Sequence, residues 1–113
     1  MFARLGNNTE FQKVYKKGKS RANKYLVMYV LNDGSGKNRF GFSVSKKVGN
    51  SVERHRITRL LRESVRKNDV LLKEGNRIII VARQNIREKK YREVDGAVLH
   101  LLKLHNLLRD VMD

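Results

Sequence analysis

Phe42-Ser43-Val44-Ser45-Lys46-Lys47-Val48-Gly49-Asn50-Ser51-Val52-Glu53-Arg54-His55-Arg56-Ile57-Thr58-Arg59-Leu60-Leu61-Arg62-Glu63 changes its period halfway along, and that change decides the fold. The first part belongs to a strand expected over Arg39–Ser45. Phe40, Phe42 and Val44 make its apolar face, and Gly41, Ser43 and Ser45 make a small, polar face with room for something to lie on it. After Gly49 the period becomes helical. Asn50 can cap the helix, with Glu53 three residues on, the spacing of a capping box, and the helix reaches about Lys67. With Val52 at 0° and about 100° per residue, Ile57, Leu60, Leu61, Ser64 and Val65 fall between about 80° and 220°. His55, Arg56, Arg59, Arg62, Arg66 and Lys67 fall on the opposite arc, between about 280° and 60°. Val52 lies inside the basic arc. Arg54, at about 200°, lies inside the apolar one and is expected to project past the end of the core beside the incoming strand. Glu63 stands within reach of Arg59, Arg66 and Lys67 and is expected to order them.

The flanking segments supply the rest of a single domain spanning residues 1–113. Asn7 and Glu10 mark a helix start, Phe11, Val14 and Tyr15 share one helical face, and Gly18 is a helix stop. A short strand over Ser20–Ala22 is compatible with the pattern. Lys24 to Leu31 reads as a strand, with Tyr25, Val27, Tyr29 and Leu31 on one face and Leu26, Met28 and Val30 on the other. Asp33-Gly34-Ser35-Gly36 is a turn; with Lys37 it resembles a phosphate loop only superficially, lacking the spacing and the Lys-Ser/Thr end. Arg77 to Arg83 is a strand whose Ile78-Ile79-Ile80-Val81 centre is apolar on both faces, as suits a central position. A last helix starts near Lys90, with Tyr91, Val94, Val98, Leu101, Leu102, Leu108 and Val111 at helical spacing. The expected architecture is α+β, in the order α-β-β-α-β-α, one mixed sheet with helices packed on it.

The chain has 26 Lys and Arg against 11 Asp and Glu, a net charge of +15. Such an excess costs the compact state self-repulsion, so a polyanionic partner is expected. Nucleic acid is the first candidate and an anionic membrane surface the second. There is no cysteine, which excludes disulfide frameworks and Cys-based zinc modules. The expected setting is the cytoplasm. The acids form no recognisable metal array, and His55, His100 and His105 lack zinc spacing, so no catalytic and no metal site is expected.

From Lys46 to Lys67 there are eight Lys or Arg against Glu53 and Glu63, whereas an ordinary solvated helix face mixes its signs. Arginine presents a planar fork that matches phosphate oxygens two at a time. Arg56, Arg59, Arg62 and Arg66 recur every three or four residues as a continuous row. The residues alone leave open a structural RNA-binding protein of ribosomal type and a DNA-binding module with the basic helix in a major groove.

In the stretch quoted above the chain resembles the protein subunit of bacterial ribonuclease P. The similarity extends to Phe11-Gln12-Lys13-Val14-Tyr15-Lys16-Lys17-Gly18, with Ser20 and Ala22-Asn23 after it, and to Ile78-Ile79-Ile80-Val81-Ala82-Arg83. Two positions depart from the family's pattern: its usual central Asn is His55, and an often basic position is Thr58. The resemblance implies the fold of the second domain of ribosomal protein S5, with a left-handed β-α-β crossover. It implies an RNA-binding cofactor of a ribozyme that uses Mg²⁺ to remove the 5′ leader from precursor tRNA, in an endoribonuclease whose catalysis resides in the RNA. The protein would broaden substrate recognition, with catalytic RNA and precursor tRNA as partners and neither membrane nor small molecule. Carried over residue by residue, Lys46, Lys47, Arg54, His55, Arg56, Arg59, Arg62 and Arg66 would face the catalytic RNA. Phe11, Tyr15, Lys17, Ser20 and Tyr29 would line the cleft for the leader. By spacing alone core packing is the favoured reading of these aromatics, since Phe11 and Tyr15 fit an amphipathic helix; the resemblance reverses it for Tyr15 and Tyr29, and less so for Phe11.

Overall fold

The computed structural model describes residues 3–34 and 36–109. The elements are β1 (Ala3–Arg4), α1 (Asn8–Lys17), β2 (Lys19–Ala22), β3 (Leu26–Asn32), β4 (Arg39–Ser43), α2 (Ser51–Asn68), β5 (Asn76–Ala82) and α3 (Tyr91–Leu104). One mixed sheet runs β1-β4-β5-β3-β2. Its β1–β4 and β4–β5 pairs are parallel, and β5–β3 and β3–β2 are antiparallel. The expected order is therefore present, joined by the short β2 and by an unanticipated β1, whose two residues are too few to show a period.

β5 is central and covered on both faces. Ile78 and Ile80 enter the larger core with Leu26, Met28 and Phe40, beneath Ile57, Leu61 and Val65 of α2 and Val94, Val98 and Leu101 of α3. Each such side chain contributes roughly 1.5–3 kcal/mol on full burial. Ile79 faces the other way, into a small cluster with Leu5 and Val14 beneath α1. No helix among the described residues is long and apolar enough to cross a membrane.

Several boundaries differ from expectation, each for a local reason. β3 starts at Leu26 because the Asn23 side chain accepts from the Tyr25 and Leu26 N–H groups, at 3.1 and 2.9 Å, and holds a turn there. Tyr25 consequently packs on the larger core, not on the face of Tyr29 and Leu31. β4 ends at Ser43. Ser45 belongs to a turn, its carbonyl accepting from Val48 N–H at 3.0 Å and its Oγ from Lys47 N–H at 3.3 Å. α3 stops at Leu104 because the chain reverses at Asn106 (φ 58°), and Leu108 instead bridges to Leu72. Gly34 and Gly36 take positive φ, but the hairpin that their turn residues suggest does not form: β5 lies between β3 and β4, and the connection passes over its start, with the Asp33 and Gly34 N–H groups donating to the Gly75 carbonyl; Ser35 and Val111 lie outside the described residues.

The α2–α3 contact carries a polar cluster. Asp95 accepts from Ser64 Oγ at 2.7 Å, Asn68 Nδ2 at 3.1 Å and Lys67 Nζ at 2.6 Å. Burial pushes the Asp95 carboxyl up, but the hydrogen bonds from Lys67, Ser64 and Asn68 outweigh it and hold the carboxyl below its ordinary value. A folded carboxyl that titrates below its unfolded counterpart contributes fully above about pH 3.9, and that contribution is lost as pH falls through the folded value. Asp95→Asn is expected to destabilise the fold by about 1–3 kcal/mol near neutrality. In denaturant melts its deficit against the parent should shrink as the pH drops below about 4; a constant gap would show that Asp95 carries no such linkage.

Candidate nucleic-acid interface

α1 is anchored at its start. Asn7 caps it by accepting from Glu10 N–H at 3.0 Å. The Glu10 carboxylate reaches past the cap to accept from Gly6 N–H at 2.6 Å. It also pairs with Arg39 at 3.3 Å and Arg77 at 2.5 Å. The Gly6 N–H, seconded by the two guanidinium groups, holds the Glu10 carboxyl below the ordinary carboxylate range. Glu10 thus ties the helix start to β4 and β5. Further on, Phe11 lies on Gly41 of β4, and Tyr15 meets Tyr29 of β3 edge to face, with centroids 4.8 Å apart. The helix therefore crosses the strands.

The strand register shows what it covers. Ser20, Tyr29, Ile79 and Gly41 stand abreast across the sheet, and Ala22, Val27, Val81 and Ser43 form the next row. α1 sits over the first row and leaves the second partly exposed as the floor of a trough. Phe11, Tyr15 and Tyr29, all half-buried, make its wall, and Ser20 lies beside Tyr29. The room expected over Gly41 is filled from within the chain: an added Cβ would stand 2.4 Å from the Phe11 ring and 3.0 Å from Leu5. Gly41→Ala is expected to cost about 1–3 kcal/mol by overpacking and to displace Phe11. A urea melt with an unchanged midpoint would contradict that seat.

At its α2 end the trough opens into a cavity of about 580 Å³ lined by Ser45, Lys47, Val81, Arg83, Gln84 and Asn85. Arg83, Gln84 and Asn85 were not foreseen as site residues. They are brought to Lys47 by the parallel pairing of β4 with β5, which no local spacing reveals. Lys17 does not join the wall. It projects on the Glu10 side of α1, into a separate pocket with Lys19 and Lys73.

The turn through Lys46 and Lys47, both exposed, leads directly into α2. The capping box forms as the spacing predicts: Asn50 accepts from Glu53 N–H at 2.9 Å, and Glu53 accepts from Asn50 N–H at 2.8 Å. The Asn50 N–H and then Arg87 hold the Glu53 carboxyl below its ordinary range. Ile57, Leu61, Ser64 and Val65 are buried, as read, while Leu60 is half-buried. His55, Arg59 and Arg66 are exposed; Arg62 is half-buried, its guanidinium 5.9 Å from the Phe42 ring centre. Arg54 donates to the Gly49 carbonyl at 3.2 Å. Arg56 donates to the Lys89 carbonyl at 2.8 Å and so braces the connector before α3. Val52 is 76% exposed within the cationic arc.

One expectation on this helix fails. Among the described residues, no ion pair joins Glu63 to Arg59, Arg66 or Lys67. Lys67 turns to Asp95 instead, because a buried carboxylate is a stronger partner than an exposed one. The histidines do not converge. His100 lies 3.1 Å from Asn23, and His105 Nε2 lies 3.0 Å from the Met28 carbonyl. Among the described residues, no three His, Asp or Glu side chains are grouped to hold a metal ion.

A cationic helix continuous with an aromatic-walled trough on a sheet is an arrangement suited to an RNA-binding protein. The family model for ribonuclease P matches residues 2–106. The chain is 56% identical to the ribonuclease P protein component of Lachnoclostridium phytofermentans over 104 residues, 92% of this chain and 90% of that one. It is 51% identical to that of Alkaliphilus oremlandii over 109 residues, 96% of each. A solved Staphylococcus aureus RNase P protein superposes with a TM-score of 0.88 at 34% identity, covering 96% of this chain and all (100%) of that one. One from Thermotoga maritima gives 0.82 at 28% identity, covering 89% and 96%. The chain belongs to the ribonuclease P protein family, and its role is that of a protein cofactor in tRNA 5′-leader processing, a subunit of an endoribonuclease.

Proposed function

We propose that the chain holds two RNAs at once. The exposed side of α2 takes the catalytic RNA of ribonuclease P, and the trough beside α1 takes the single-stranded 5′ leader of precursor tRNA. One observation carries this reading: the Ser45–Lys47 turn both lines the cavity at one end of the trough and leads into the cationic helix. Two RNAs bound on either side of that turn would meet there.

His55, Arg59, Arg62 and Arg66 face the catalytic RNA, with Lys46 and Lys47 at the junction. Arg54 and Arg56 bind carbonyls of their own chain and serve chiefly to set the helix start and the adjoining connector. Phe11, Tyr15 and Tyr29 offer ring edges and faces to unpaired bases, and Ser20 supplies a hydroxyl beside Tyr29. Stacking of this kind is tolerant of sequence, as suits leaders of varied composition. Mg²⁺ serves the RNA subunit, and the protein's part is to neutralise phosphates and hold the leader. We place the complex in the cytoplasm with its precursor tRNA.

Reconstitution tests the reading. The chain is mixed with a bacterial ribonuclease P RNA and precursor tRNA at low Mg²⁺. Cleavage at the mature 5′ end should be faster than with RNA alone. Equal rates would overturn the reading.

A further inference from the structure

Glu10 stands on the side of α1 away from the trough, about 140° round the helix from Tyr15 at about 100° per residue. We infer that Glu10 is a positioning residue for the leader: its carboxylate, clamped by Arg39 and Arg77, draws the start of α1 towards one end of the sheet and so keeps the trough open. This rests on the leader placement proposed above.

The strand register makes α1 the boundary between two rows of side chains. Tyr29, Ile79 and Gly41 form the row beneath the helix. On the same face of the sheet, Leu31, Arg77 and Arg39 form the row before it, and Val27, Val81 and Ser43 form the row after it, the floor of the trough. The helix can therefore lean towards the arginines or over the floor. Its contacts with the middle row are largely apolar: Phe11, Val14 and Tyr15 pack with Leu5 and Ile79. Apolar contact carries no direction. Direction comes from Glu10. Its carboxylate takes Arg77 at 2.5 Å and Arg39 at 3.3 Å. It also accepts from Gly6 N–H at 2.6 Å, which stiffens the link to Leu5, whose own N–H donates to the Phe40 carbonyl at 2.9 Å. Arg77 is held in turn by Asp33, so the anchor itself is fixed.

The far end of the helix is a pivot. Gly18 approaches β3 so closely that an added Cβ would stand 2.9 Å from the Val30 carbonyl oxygen. With that end fixed, loss of the clamp lets the start of the helix swing, and charge sets the direction. Glu10 is the one acid in α1, against Lys13, Lys16 and Lys17. Without it, the positive end of the helix dipole and a cationic helix face Arg39 and Arg77, and like charges repel. The start of α1 then moves towards the trough, and Phe11 and Tyr15 close over the row from Val27 to Ser43 on which the leader lies.

The test uses the full chain, free and in reconstituted holoenzyme. Glu10→Gln keeps the shape of the side chain and an accepting oxygen but removes the charge. With it, the preference of the holoenzyme for precursor over mature tRNA should fall about tenfold, the worth of about one stacked base. Affinity for the catalytic RNA should be unchanged. Arg77→Gln should lose a similar amount, and the double variant little more than either alone, since both remove one clamp. The chain has no cysteine, so a pair of spin labels can be placed at Lys13 and Gln84 of the free chain. The distance between them should shorten in Glu10→Gln. An unchanged preference, additive losses in the double variant or an unchanged label distance would overturn the proposal. So would an equal loss of affinity for the catalytic RNA, since the charge would then support the fold at large and not the trough. If Tyr15 and Tyr29 variants lose precursor preference while Glu10→Gln does not, the trough stands and the clamp falls. If neither variant discriminates, the leader placement itself falls.

Discussion

Arg59→Ala/Arg62→Ala is expected to weaken binding of the chain to the catalytic RNA by about 10²–10⁴-fold, at about 1.5–3 kcal/mol for each charged hydrogen bond lost. Arg59 is exposed, and Arg62 gives up only its contact with the Phe42 ring, worth about 0.5–1 kcal/mol, so the fold should survive. The informative quantity is the salt dependence. Each phosphate contact contributes a slope of about 0.7–0.9 in log affinity against log salt, so the double variant should be shallower by about 1.4–1.8. Arg59→Lys/Arg62→Lys keeps both charges and loses the planar forks; it should keep most of the slope and lose part of the affinity. A double alanine variant with the parental slope would mean that these side chains touch no phosphate.

The second large effect is expected in the trough. Tyr15→Ala/Tyr29→Ala should weaken binding of precursor tRNA to the holoenzyme by about 2–6 kcal/mol, at about 1–3 kcal/mol per stacked base, and leave mature tRNA unchanged. Both rings also pack against the Ile79 cluster. The leucine pair is therefore the needed companion, since it keeps apolar bulk and loses the stacking face. If the alanine pair loses precursor selectivity and the leucine pair does not, the tyrosines act by packing alone. Equal losses for precursor and mature tRNA would remove the leader from the trough.

The two faces of the chain were not equally legible in its sequence. α2 was readable almost whole, because its capping box, apolar stripe and arginine row are all local and share one period. β5 was readable because four consecutive apolar residues need cover on both sides. Features built by long-range pairing were not. Gly41 looked like open floor, but Phe11 is laid on it from thirty positions away by the crossing of α1. Glu63 looked like the partner of Lys67 until α3 brought in the more buried Asp95. Arg56 looked like one more phosphate ligand, and the connector before α3 takes it up. Lys17 differs in kind. Phe11, Val14 and Tyr15 span an arc of about 100°, so the helical period already sets Lys17 to one side of them, next to Glu10; what it does not show is that the loop before β5 brings Lys73 to that side. Family resemblance singled out Phe11, Tyr15 and Tyr29, and the structure adds the register that sets Tyr29 beside Ser20 and brings Arg83 towards Lys47.

The central claim is that one small chain seats two RNAs on either side of the Ser45–Lys47 turn. Site-specific photocrosslinking in the active holoenzyme tests it most directly, with a benzophenone side chain placed once at Tyr29 and once at Arg59. The probe at Tyr29 should label the leader of precursor tRNA and lose its product when the leader is removed. The probe at Arg59 should label the catalytic RNA whether or not tRNA is present. Labelling of the same RNA from both positions, or a Tyr29 product that survives removal of the leader, would contradict the account.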